Sequence, residues 1–173
     1  MTQDLQARCS AAFEHMHELV DKLPEMQLEN GRLQRAENAA AVQVCEQHYL
    51  ALKKYVDHLY ALQKESIARC RKFHETIADS SELATRIRKE GERQAILTND
   101  IAHNDGSAHN KRNEYGNTMM QYFSGESDYR AALLPEDELT VLRNKVVSYR
   151  EDYQKTLQEC QELDALLSPE QDD

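Results

Sequence analysis

Apolar residues recur along this chain at alternating intervals of three and four, and the cleanest series lies towards its end. Leu139, Leu142, Val146, Tyr149, Tyr153, Thr156, Cys160, Leu163 and Leu167 hold that spacing without a break. It is the signature of a helix that buries one narrow stripe against another helix. Pro135 suits the entry to a helix, and Glu136, Asp137 and Glu138 complement the positive end of its dipole. With Ser168-Pro169 as a stop, the pattern predicts a helix over 136–167 followed by an acidic tail at 168–173.

A second series runs through Leu5, Cys9, Ala12, Met16, Leu19, Leu23, Met26, Asn30 and Leu33, in register across Pro24. A proline inside a helix removes a hydrogen bond and costs about 3 kcal/mol. The expectation is therefore a helix over 1–23, a kink or break, and a new helix beginning at Pro24. Near Ala36–Ala41 the seam slips by two residues. It resumes at Val42, Cys45, Tyr49, Leu52, Val56 and Leu59 and is followed to Ile77, Ser80, Gly91, Thr98 and Ile101, giving a long helix over 24–99. The fold class predicted is all-α, an elongated coiled-coil hairpin with a long central helix.

Residues 103–117, HNDGSAHNKRNEYGN, interrupt the apolar pattern. A metal or catalytic reading would gather His103, Asp105 and His109, or invoke a His-Asn-His nuclease signature. The first lacks groups to orient each ligand, and the second needs a flanking hairpin with period-two strands that the sequence does not contain. Asn-Asp-Gly-Ser and Tyr-Gly-Asn are turn chemistry, so the segment reads as the bend of the hairpin, within a bend region 100–135. Just beyond, Met119, Met120, Tyr122 and Phe123 read as a cap on the open end of the hairpin, or, because such side chains are favoured at interfaces, as a candidate docking patch.

Helix lengths then suggest where partners bind. At 1.5 Å per residue a helix over 24–99 would reach about 110 Å, against about 48 Å for one over 136–167. A C-terminal helix returning from a bend at 100–135 covers about 70–100, leaving earlier seams uncovered. Tyr49, Leu52, Val56 and Leu59, with Met16 and Leu19, are accordingly expected to form an interface with a partner chain.

Composition narrows the classes. The 173 residues include 5 Gly, 3 Pro and no Trp, with 30% charged side chains and a net charge of −10. No apolar run approaches the 18 residues of a membrane span. Acids in the first 25 residues fit neither a secretory signal nor a transit peptide. The four cysteines show no CxxC spacing and read as buried thiols. Residues 50–98 carry 7 acids and 10 Lys or Arg, but these alternate, as on a solvated helix face, so no nucleic-acid footprint is expected. There is no phosphate loop, no GxSxG and no paired-histidine metal motif.

The sequence thus predicts a non-enzymatic coiled-coil subunit, a spacer or adaptor in a multi-protein intracellular assembly, cytoplasmic or cytoskeleton-associated. Its partners would be other coiled-coil chains, as a homo- or hetero-oligomer, with no catalytic, cofactor or metal site, no small-molecule substrate and no membrane insertion. The alternative is a helical module that binds a membrane surface or a cytoskeletal filament, and a net charge of −10 weighs against an anionic membrane.

Overall fold

The computed structural model describes residues 2–75 and 81–168, and all regular structure among them is α-helical. The helices are α1 (Thr2–Glu75), α2 (Ser81–Tyr122), α3 (Glu126–Ala132) and α4 (Glu136–Leu167). The all-α class is as the periodicity predicts. The chain forms two compact units, Met1–Asn38 with Arg130–Asp173, and Ala39–Tyr129. Residues of α1 contribute to both. The expected seam positions Ile77 and Ser80, the stop at Pro169 and the tail at 169–173 lie outside the described residues.

In the first unit α4 lies antiparallel to the first half of α1. Cys9 and Ala12 meet Cys160 and Leu163 at one end, and Met26 and Leu33 meet Leu142 and Val146 at the other. Between them the Tyr149 hydroxyl donates to the Leu19 carbonyl at 2.6 Å. The expectation that the C-terminal helix returns over 70–100 is therefore corrected. α4 is flanked by Pro135 in extended geometry (φ −54, ψ 149) and by Ser168, whose N–H donates to the Asp164 carbonyl at 3.0 Å. Its first turn carries no side-chain cap, only the acids that suit a helix N-terminus.

α1 runs through Pro24 without a break, so the expected boundary at 23/24 is corrected too. Pro24 is exposed, whereas Leu19 and Met26 on either side of it are buried. The lost N–H would have bonded the carbonyl of Val20, also on the exposed flank, and continuous burial along the opposite stripe holds the helix together.

In the second unit α2 returns along the second half of α1. Leu59 packs with Leu97 and Ile101, Gln63 donates to Thr98 at 3.2 Å, and Ser66 donates to Glu90 at 2.5 Å. Residues 103–117 lie wholly inside this 42-residue helix. The predicted bend there is corrected: neither Gly106 nor Gly116 adopts a positive φ, and both continue the helix. The seam simply carries on through polar or small members, with Asn104, Lys111 and Tyr115 half-buried and Ala108 buried. A glycine costs a helix interior about 1 kcal/mol, which packing along the length of a 42-residue helix outweighs. The chain leaves helical geometry at 123–125, and Tyr129 on α3 is fully buried.

Candidate functional site

Most residues expected to face a partner are covered inside their own unit. Val56 and Leu59 are buried against α2, Tyr49 stacks on Tyr115 with centroids 6.5 Å apart, and Leu52 is half-buried. Met16 packs against the Cys9 and Cys160 cluster, and Leu19 is buried. The partner-interface assignment is thus corrected for Val56, Leu59 and Leu19, which are buried, and for Tyr49 and Met16, which pack inside their own units, while Leu52 is half-buried. Its premise was a bend at 100–135. α2 begins instead at Ser81, early enough to cover α1 from Ser66 back to Tyr49.

The expected docking patch is divided. Phe123 is buried against Tyr129, with ring centroids 5.9 Å apart, and Met119 is half-buried. Only Met120 and Tyr122 of the four remain exposed. Tyr129 also donates to Glu46 at 2.7 Å and meets the Tyr115 ring edge-on, so these aromatics close the end of the α1–α2 pair.

His103 and His109 both lie on the exposed side of α2. Asp105, Gly106, His109 and Arg112 line a shallow cleft of about 480 Å³ with Tyr49, Lys53, Asp57 and Tyr60. Its charges are mixed, two cationic side chains and two carboxylates. No group of three or more His, Cys, Asp or Glu among the described residues is arranged to hold a metal ion.

Two polar contacts carry resolved electrostatics. Hydrogen bonds from Ser66 and from Arg69, the latter at 2.8 Å, hold the Glu90 carboxyl below its ordinary value of 4.5. Donation to Asp152 at 3.0 Å pushes His15 above its ordinary 6.5, although both side chains are nearly half exposed. The two act at opposite ends of the pH scale. A lowered carboxyl contributes stability above its unfolded value and loses it on acidification; a raised histidine contributes below 6.5 and loses it as pH rises through its folded value. Unfolding midpoints are therefore expected to fall below about pH 4.5, with Glu90→Gln flattening that limb. A weaker decline above about pH 6.5 should vanish in His15→Asn. Unchanged pH profiles in these variants would contradict the assignment. Burial raises the Cys160 thiol, with the nearby Cys9 adding to the effect, so Cys160 is not poised as a nucleophile.

The α1–α4 pair has two dissimilar edges. On one, charges face each other: His15 meets Asp152, and Lys145 lies 3.6 and 3.5 Å from Glu25 and Glu29. The cavity on that side is lined by Glu29, Arg32, Asp137, Glu138 and Lys145, among others. The other edge has a groove of about 410 Å³ lined by Leu23, Met26, Gln27, Val146, Tyr153 and Leu157, among others, with Arg150 its one charged member. It continues as a cleft of about 300 Å³ past Gln34 and Val147, at whose end Arg143 donates to Glu37 at 3.1 Å.

No family model, curated protein or solved structure matches this chain.

Phe13 and Val20 precede Gln27 and Gln34 by whole heptads and so share their flank of α1. Phe13 is 46% exposed, Val20 44%, Val147 39% and Leu157 38%. These residues are absent from the sequence-based site, although a seven-residue repeat beside the seam marks the first two. No helix of the described residues is long and apolar enough to cross a membrane.

Proposed function

We propose that this chain is a non-catalytic helical subunit that serves as spacer and adaptor in a larger intracellular assembly, with other helical proteins as its partners. One observation carries the reading: the α1–α4 pair fills its own seam and sets the ion pairs of His15 and Lys145 along one edge, while Phe13, Val20 and Leu157 stand exposed on the other. Two helices with an apolar flank left over are an incomplete bundle, and a further helix is the element that completes one. The alternative of a membrane-surface module asks for free bases around the apolar flank. Here Arg143 is paired with Glu37 and Arg150 donates to the neutral Asn30 amide, and the neighbouring charges include Glu14, Asp21, Glu151 and Asp164, which an anionic leaflet would repel.

The test is the mass of the protein at its natural abundance. In a gentle cell extract the chain is expected to sediment well above its 20.0 kDa, and purified protein should show no turnover of its own. Sedimentation as a free 20.0 kDa chain would overturn the adaptor reading.

A further inference from the structure

We infer that the groove between α1 and α4 receives one amphipathic helix of another protein, with a leucine-type apolar stripe flanked by lysine or arginine. This rests on the adaptor reading and adds the chemistry of the partner. Two features of the first unit lead to it, and one of them also excludes a second copy.

The groove has the dimensions of a helix seat. From Leu23 to Glu37 its α1 wall is two heptads long, about 21 Å at 1.5 Å per residue, Leu157 to Val147 face it from α4, and Val20 and Phe13 continue the same flank of α1 beyond it. Its floor offers Leu23, Met26, Val146 and Tyr153, the deep apolar positions into which the side chains of a third helix interdigitate. The exposed walls, Phe13, Val20 and Leu157, would close over that helix.

The field around it is negative. Asp164 continues the Leu157 flank by one heptad, Glu151 follows Val147 by one turn, and Asp21 follows Val20 on α1, all three of them exposed. Of the two bases along the groove, Arg143 is paired with Glu37 at 3.1 Å, while Arg150 donates to the neutral Asn30 amide at 3.3 Å and keeps its charge, so the negative field comes from the surrounding unit. The first unit as a whole holds 18 Asp or Glu against 9 Lys or Arg, a net charge of −9, whereas the second holds 13 against 12. A helix approaching this unit meets its excess of carboxylates, so bases beside the apolar stripe are attracted and acids repelled.

The same charge argues against a second copy as the occupant. Two such units would bring together two net charges of −9, and like charges across an interface suppress pairing.

The test uses the full chain and three synthetic peptides of three heptads: one with Leu at both seam positions and Lys at the flanking positions, one with Glu at those flanks, and one with the basic composition scrambled. Binding is read by isothermal calorimetry at two salt concentrations, alongside light scattering of the chain alone. The basic peptide is expected to bind at least about tenfold more tightly than the acidic and scrambled ones, and less tightly at high salt. Phe13→Lys with Leu157→Lys should abolish that binding, while Phe13→Ala with Leu157→Ala weakens it without altering the helical circular dichroism. Because these positions are already partly exposed, the alanine pair keeps the chain folded and the comparison interpretable. Equal affinity for the basic and acidic peptides, or binding that survives both double variants, overturns the proposal. So does a dimer that the Phe13/Leu157 variants dissolve, which would make a second copy the occupant. If native complexes form in cells and persist in the charged variant, this groove assignment fails while the adaptor reading stands; if no complex forms at all, the adaptor reading fails.

Discussion

Leu59→Glu is expected to destabilise the α1–α2 pair by at least about 3 kcal/mol. Leu59 is 4% exposed and packs with Leu97 and Ile101. Removing a buried leucine side chain alone costs about 2–5 kcal/mol through lost transfer energy and the cavity left behind. A carboxylate placed there, among Leu62, Leu97 and Ile101, adds desolvation. Met120→Glu, on an exposed position of α2, should stay within about 0.5 kcal/mol. Urea unfolding followed by circular dichroism gives both numbers. If Leu59→Glu melts like the native chain and merely changes its oligomeric state, Leu59 faces a partner chain after all.

Leu59 also shows where sequence reading succeeds and where it stops. Leu59 and its seam neighbour Val56 are legible as positions that must be covered, because a period of three and four residues states that much about a stripe. The period does not state by what. The covering helix escapes notice because α2 draws its seam from Asn104, Ala108, Lys111 and Tyr115, side chains that a hydrophobic pattern does not register. Turn-favouring glycines and asparagines then give a local signal that tertiary packing overrides. The same limit explains why Gly91 and Thr98 read as seam members while Glu90 and Leu97 hold those places. Glu90 is acceptable there only because Ser66 and Arg69 donate to it. The candidate groove is the least legible feature. Whether Phe13 and Val20 are core or surface depends on which stretch of chain lies opposite, and α4 supplies neighbours for only one of their flanks.

Pro24→Ala is expected to stabilise the α1–α4 pair by about 2 kcal/mol. The helix continues through Pro24, so alanine restores a backbone donor for Val20 and removes the ring's clash with that turn, a change worth about 3 kcal/mol in a helix interior. Part of the gain is returned, because proline also restricts the unfolded chain by about 0.4–1 kcal/mol. Thermal melts of native and variant chains decide it. A loss of stability would mean that the proline starts a helix and that α1 is two elements joined at that residue.

Amide hydrogen exchange of the free chain, read peptide by peptide over 49–62 and 103–117, tests most directly the claim that α2 and not another protein covers the second half of α1. Both segments should be protected to the same degree in monomeric protein and should lose protection together in Leu59→Glu, as one cooperative pair. Rapid exchange over 103–117, with protection of 49–62 appearing only when another chain is bound, would contradict the account.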